Sequence, residues 1–509
     1  MCSSDLFDDT TSSQIAIAGS FTAANGTITA GVEDQNGPGG AVLNVPFTGT
    51  YNVASDNRGA FTITTATGSK TYALVLNSVK GGVAQKARFV EFDDITGTSG
   101  RRGSGLMRLQ DTTAFAQSKI TGPYAFGFEG QDATAKREVM AGAFNADGAG
   151  NIPVGAADVN VVGTASNPSL TGTYTAPSSV NGRATMKLNP SSGSGLDLAA
   201  YVVSAGELFV LTTDTITSNG LISGAILSQS SSSFDNTALN APAVYYQSGV
   251  NSNGNAAQSS AEIGLLTPNG SGGLSTTYDK SPGGGIAAQT FAATYSVLSG
   301  GRVTISGWYG DSSSPERILY LLDKNKAFFL DTDATAGLGF VEPQSVPAGG
   351  FSTASFTGIF SIATAAPVVS PDPNACGTGT LDASGTYSQV SDFSATSGDV
   401  IDQTTTGNYS IAANGRGAVT NVQITASTVR GSILGMFVVA AFIFGSRKPR
   451  ARLGPAYAMM CFTILLATTP ASCSFQSQLV FYAVSPTKAI LMPESQIFSP
   501  TPVISFIEQ

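Results

Sequence analysis

One short phrase recurs four times and sets the limits on what this chain can fold into. It reads Thr48-Gly49-Thr50-Tyr51, Thr171-Gly172-Thr173-Tyr174, Ala292-Ala293-Thr294-Tyr295 and Thr406-Gly407-Asn408-Tyr409. Within nine residues of each tyrosine comes an arginine preceded by Asn or Gly: Arg58, Arg183, Arg302 and Arg416. The tyrosines stand 123, 121 and 114 residues apart. A period near 120 residues is a domain, not one rung of a solenoid. At 509 residues the chain has room for four such domains.

Each copy is a series of short strands. In the first, Ile15, Ile17, Gly19 and Phe21 alternate with Ala16, Ala18, Ser20 and Thr22, the period of a strand with one buried face. Asn25-Gly26 is a hairpin turn, and Phe47, Gly49, Tyr51 and Val53 share one face of a later strand. The second copy repeats the series and adds a strand, Tyr124–Phe128, before it. Eight strands joined by turns in about 120 residues predict an all-β chain of four tandem antiparallel up-and-down, lipocalin-like eight-stranded β-barrels. β-sandwich repeats stay open as the alternative. The expected divisions are 7–117, 118–238, 239–354 and 355–509. Inward glycines beside aromatics and a plain meander favour the barrel. The inward set Phe21, Phe47, Tyr51 and Phe61 looks large enough to fill it.

A meander also fixes ends. The repeated arginines fall at the bottom, after strand four. Repeated acids fall at the top, after strand seven: Glu91, Asp93, Asp214, Asp331, Asp333 and Glu494. Within one barrel the two sets should not meet.

Two stretches depart from the pattern. Met1-Cys2-Ser3-Ser4-Asp5-Leu6 reads as a translated sequencing adapter, so residues 1–6 are expected to be a scar and the first barrel to lack strand one. In the fourth copy, 73 residues separate Tyr409 from Tyr482, against 21 from Tyr51 to Tyr72 and 25 from Tyr295 to Tyr320. The excess is an insert at 428–475: an apolar run from Gly431 to Gly445, then Arg447, Lys448, Arg450 and Arg452, then a second apolar run to Cys473. A hydrophobic helical hairpin in a membrane fits, with the basic loop in the cytoplasm, although the first run falls short of the roughly 20 residues a span needs. A signal-like element, a soluble hydrophobic hairpin and a chimeric join are the other readings.

Composition removes several functions. The chain has no His, the usual general base and metal ligand, so no Ser-His-Asp or Cys-His system can form. Net charge is −9 and basic residues are sparse in the repeats, which argues against nucleic-acid binding. Four cysteines are too few and too scattered for a disulfide framework or zinc site. Asp147-Gly148-Ala149-Gly150-Asn151 echoes a calcium loop, but the equivalent turns Asn25-Gly26, Asn269-Gly270 and Ala383-Ser384-Gly385 lack carboxylates, so a tight turn explains all four. Asp331 and Asp333 share a strand face and could serve glycoside hydrolysis, yet solvated rim charges account for them as well.

Ala141–Ile152, Thr171–Tyr174 and Asn414–Gly417 resemble tandem-repeat exported β-barrel proteins of uncharacterised function found in acidobacteria and soil metagenomes. Phe444–Gly454 looks like a double-hydrophobic module of other surface proteins from such bacteria. The resemblance implies export and no activity. The expected protein is thus a non-enzymatic exported cell-surface or envelope repeat protein without cofactors, a structural spacer or adhesin. Its partners would be neighbouring repeats of the same chain, membrane lipid through the insert, and envelope glycans or neighbouring cells. An array of small-ligand or glycan-binding barrels is the alternative, and a carboxylate-dependent glycoside hydrolase a remote one. The repeated Gly, Tyr and Arg positions are expected to be structural.

Overall fold

The computed structural model describes residues 2–8, 11–92, 100–251, 258–281, 288–370, 372–395, 398–425, 428–430, 472–474, 479–493 and 504–509. They form four closed, eight-stranded antiparallel barrels in tandem. Barrel 1 runs from Cys2–Asp8 to Arg101–Arg108, and barrel 2 from Thr121–Gln131 to Leu221–Ser228. Barrel 3 runs from Ala243–Val250 to Leu338–Pro343, and barrel 4 from Gly358–Thr364 to Ser505–Glu508. In each, strand eight pairs antiparallel with strand one, which closes the meander and excludes the sandwich.

The first barrel does not lack a strand. Residues Cys2–Asp8 pair with Ser13–Ala24 on one side and Arg101–Arg108 on the other. Leu6 is buried against Ile15 and Ile17. An open barrel would leave two rows of unpaired backbone groups, and this segment supplies the missing backbone together with an inward hydrophobe.

The insert does not break barrel 4. Strand five, Arg416–Thr425, pairs across it with strand six, Leu479–Ser485. Its described ends form short spurs, Thr428–Arg430 on strand four and Ser472–Ser474 on strand five. The expected hairpin, with Arg447, Lys448, Arg450 and Arg452, lies outside the described residues. Among the described residues no helix is long and apolar enough to cross a membrane.

Side chains fill the interiors. Barrel 1 holds Phe47, Phe61, Tyr72 and Phe89, with Phe61 stacked on Tyr72 at 4.6 Å. Barrel 2 holds Tyr124, Phe126, Phe128 and Phe144, and barrel 3 Tyr245, Trp308 and Phe329. Barrel 4 holds Phe356, Phe360, Tyr387 and Phe481. The glycine of the repeated phrase lies where strand four passes close to the backbone of strand five. A Cβ on Gly49 would strike the carbonyl oxygen of Thr62, one on Gly172 that of Lys187, and one on Gly407 that of Thr420. Barrel 3, whose strand five is only Arg302–Ser306, accepts Ala293 at this position. Gly172→Ala should therefore destabilise barrel 2 by about 1–3 kcal/mol, whereas Ala293→Gly should cost no more than about 1 kcal/mol; thermal melts of the two variants check the contrast.

The outer faces are buried as well, because the barrels pack on one another in a ring. Ala16 and Ala18 of barrel 1 lie against Tyr201, Val203, Phe209 and Leu211 of barrel 2. Ala125, Val139 and Ala141 of barrel 2 meet Ile318, Tyr320, Phe328 and Leu330 of barrel 3. Val244, Ile263 and Leu265 of barrel 3 meet Val480, Tyr482, Ile490 and Phe506 of barrel 4. Ala363 and Cys376 of barrel 4 meet Ala73, Val75 and Val90 of barrel 1. At each junction, strands one and two of one barrel bear on strands six to eight of the next. The fourth junction closes the cycle, a head-to-tail interface whose rotation completes a ring at four members.

Candidate functional site

The predicted site residues sort into the joints of this ring and the plugs of its barrels. Strand five begins with the repeated arginine, and strand six places a tyrosine beside it: Arg183 faces Tyr201, Arg302 faces Tyr320 and Arg416 faces Tyr482. Both side chains point outward onto an aspartate in strand three of the preceding barrel. Arg183 donates to Asp34 at 2.6 and 3.1 Å, and the Tyr201 hydroxyl donates to the same carboxylate at 2.8 Å. Arg302 and Tyr320 hold Asp158 at 2.7 Å each. Arg416 and Tyr482 hold Asp279 at 2.6–2.8 Å. Two parallel N–H···O bonds and a phenol satisfy a carboxylate that is buried or nearly so, the geometry in which such pairs are strongest. Burial works against the Arg183 guanidinium, but its bonds to Asp34 outweigh that and raise its pKa. Bonding to Asp158 raises Arg302 despite burial.

The acids that meet the repeated arginines between barrels are thus not the strand-seven set but strand-three aspartates that the sequence reading passed over. Arg58 makes the fourth joint with barrel 4, through Asp402 at 2.6 Å and, more distantly, Asp392 at 3.9 Å. Asp392 lies on strand three, as do Asp34, Asp158 and Asp279. The tyrosine is missing here. Tyr72, aligned by sequence with Tyr320 and Tyr482, points into barrel 1, and Val75 is the residue opposite Arg58.

A second latch lies beside the first. Gln110, after the last strand of barrel 1, donates through Nε2 to the carbonyls of Asn181 (3.2 Å) and Val202 (2.6 Å) in barrel 2. Gln229 does the same with Gly300 and Leu321, and Gln344 with Asn414 and Ala483. Gln509 reaches Thr357 in its own barrel instead. Each of these glutamines tethers a linker to the arginine turn ahead of it, except the last.

The phrase tyrosines are plugs. Tyr174 donates its hydroxyl to Ile120 O at 2.7 Å, Tyr295 to Leu239 O at 2.7 Å, and Tyr409 to Phe356 O at 2.7 Å. Each ties the segment preceding strand one across the bottom of its barrel. Tyr51 is only half-buried, and no such preceding segment is among the described residues of barrel 1.

The calcium-like turn is a side-chain cap. Asp147 accepts from the backbone of Ala149 (2.7 Å) and Asn151 (2.9 Å). Asn269 accepts from Ser271 and Gly273, and Asp382 from Thr386. The fourth copy therefore does carry a carboxylate, one residue before the stretch compared by sequence. Such caps explain Asp and Asn at turns without a metal. Among the described residues no three His, Cys, Asp or Glu side chains are grouped to hold a metal ion.

Asp331 and Asp333 belong to a buried polar network at the top of barrel 3. Arg317 clamps both, at 2.9 Å each, and Thr335 donates to Asp331 at 2.8 Å. Burial lifts Asp331 to about 6. Burial would also raise Asp333, but Arg317 and Thr335 outweigh it and hold it low. Beside them Glu262 accepts from Tyr245 (2.6 Å) and Tyr309 (2.5 Å). Tyr309 adopts φ 60°, a left-handed conformation costly for a bulky residue. Arg317 stacks over the Trp308 and Tyr309 rings, each at 5.7 Å. One guanidinium draws both carboxylates together, which is not the arrangement of two acids flanking a glycosidic bond.

Charge also gathers where strand eight of one barrel nears its neighbours. Lys488 bridges Glu342 of barrel 3 (2.7 Å) and Glu508 of barrel 4 (3.2 Å), and Asn77 of barrel 1 donates to Glu508. Burial alone would raise the Glu508 carboxyl, but Arg88, Lys488 and Lys86 outweigh it and pull it down to about 2. A depressed carboxyl contributes stability that is present above its unfolded value and lost as pH falls through the folded one. The ring should therefore weaken between about pH 4.5 and pH 2. Glu508→Gln should flatten this part of the profile, read by denaturant midpoints across that range.

No protein-family model matches the chain, and no curated protein matches it. Among solved structures it is similar to a mutant of Transferrin Binding Protein B from Haemophilus parasuis, with 10% identity, 85% of each chain covered and a TM-score of 0.19. It is also similar to the isotype 1 Transferrin Binding Protein B from serogroup B Neisseria meningitidis, with 8% identity, 86% of this chain and 83% of that chain covered, and a TM-score of 0.18. At this identity and score the likeness carries no argument about function.

Proposed function

We propose that the chain is a non-enzymatic, exported protein of the bacterial envelope or cell surface, in which four barrels act as one rigid body. The observation that carries this reading is the use made of the repeated residues. Tyrosines plug barrels, arginines and glutamines join them, and aromatics fill them. That economy suits a scaffold that presents its rims and loops. The insert at 428–475 leaves the barrel through the link between strands five and six and would serve as its attachment to the membrane, with glycans or neighbouring cells as the partners met by the exposed rims.

Protease treatment of intact cells followed by membrane fractionation tests the reading. Cleavage from outside and recovery with membranes are expected, with release to the soluble fraction when residues 431–471 are replaced by a short Gly-Ser linker. Protein that is protected from protease and wholly cytosolic overturns it.

A further inference from the structure

Within the ring lies a half-open cavity of about 220 Å³ lined by all four barrels. Its walls are drawn from strands one, seven and eight: seven and eight of barrel 1, all three of barrels 2 and 3, and one and eight of barrel 4, so it lies where the four barrels converge. It is larger than a site for one water and smaller than a typical drug-sized pocket. Most of the wall is apolar, with Phe328, Phe340, Phe506 and Tyr246 as its aromatic members.

Two wall positions carry charge: Glu129 of barrel 2, which is already paired with Arg137 at 2.5 Å, and Arg88 of barrel 1, which breaks the four-part pattern. Strand seven faces strand eight through the pairs Arg88–Leu106, Phe209–Ala225, Phe328–Phe340 and Ile490–Phe506. Three barrels place an apolar residue at this site and barrel 1 places an arginine. The Arg88 guanidinium lies 4.1 Å from the centre of the Phe506 ring, whose other neighbour is Tyr246 at 5.1 Å. Among the described residues Arg88 makes no hydrogen bond or ion pair. Glu508, the acid that most influences it, is taken by Lys488 and Asn77. Burial depresses the Arg88 pKa, as expected of a guanidinium that has lost water without gaining a full partner. Arg is the side chain suited to pairing a carboxylate through two parallel bonds while stacked on an aromatic face.

We propose that this cavity binds a small organic carboxylate, a single-ring aromatic or short-chain aliphatic acid. Its carboxylate pairs with Arg88 and its apolar body lies among Phe328, Phe340 and Phe506. The site exists only in the closed ring and rests on that closure, not on where the protein resides. Failure of the export reading leaves it standing.

Isothermal titration of the full chain tests it, with benzoate, hexanoate, benzamide and inorganic phosphate as probes. One benzoate or hexanoate per chain is expected, with Kd at or below about 1 mM for ligands of this size. Benzamide, which keeps the ring and lacks the charge, should bind at least about tenfold more weakly. Arg88→Met should lose at least about tenfold in affinity for the acids. Ala365→Leu, which puts bulk into the cavity from barrel 4 and leaves every charge in place, should abolish binding. That second variant decides the matter if Arg88→Met fails to fold. Absence of saturable binding by either acid, undiminished binding in a folded variant, or phosphate binding as tightly as benzoate each overturns the proposal.

Discussion

Asp34→Ala should destabilise the junction between barrels 1 and 2 by about 3 kcal/mol, the cost of stranding a charge in a site that excludes water. The Asp34 side chain is 0% exposed and its arginine partner 13%. Its removal would leave the Arg183 guanidinium and the Tyr201 hydroxyl both without their acceptor. The internal control is Asp197→Ala. That carboxylate also pairs with a cation, Lys187 at 3.0 Å, but the two side chains are 50% and 48% exposed. Solvent screens them, and the change should be within about 0.5 kcal/mol. Hydrogen exchange resolved by barrel is the fitting measurement, because a chain of four domains need not unfold in two states. Equal effects of the two substitutions would show that the joint contributes no more than a surface pair.

Val90→Asp should open the ring. Val90 is fully buried in the seam between barrels 1 and 4, with Val75, Ala363 and Cys376 around it. Two cations of this seam are already engaged, Arg58 by Asp56 and Asp402 and Arg102 by the Ser370 carbonyl. A new carboxylate there has no partner, and an unpaired charge in an apolar contact costs several kcal/mol, on the order of the whole stability of a small interface. This junction lacks the tyrosine of the other three, and among the described residues no chain segment links its two sides directly, so it should give way first. A compact chain of this length has a radius of gyration of about 23 Å. Small-angle scattering should read clearly more than that for the variant and not for Val53→Asp, whose site is exposed. An unchanged radius in the variant would mean that three junctions hold the ring without the fourth.

The barrels were legible because their signals are local. Alternation, Asn-Gly turns and the repeated phrase each report on a few consecutive residues. The ring was not legible, because its signals are split between copies. Ala16 and Ala18 look like the solvent face of a strand, since alanine is small enough to serve either way, and only the neighbour decides. Asp34, Asp158 and Asp279 fall at matching places in strand three, but the turns around them differ in length and the match is lost. Gln110, Gln229, Gln344 and Gln509 end their copies alike in the sequence, and nothing local to them names a role. The fourth is also not equivalent to the rest. Met107, Ile226 and Val341 face inward three residues before Gln110, Gln229 and Gln344, whereas Ile507 does so two residues before Gln509. A one-residue slip puts that side chain on the other face of the sheet. The same loss of register misplaced Tyr72. Aromatic identity suggested equivalence with Tyr320 and Tyr482, but Val75 is what stands opposite Arg58.

Arg88 owes its place to the covalent linking of the four barrels. Four separate copies of one barrel, assembled about a rotation axis, would repeat every residue four times around the centre. An arginine at that position would then face three others across a small apolar space, and their mutual repulsion would oppose assembly. Here the corresponding positions hold Phe209, Phe328 and Ile490, so the centre carries one guanidinium, from barrel 1, and the Glu129 carboxylate of barrel 2 on another wall. Joining the copies in one chain freed each quadrant to diverge, and the centre of the ring, which symmetry would have kept uniform, became polarised.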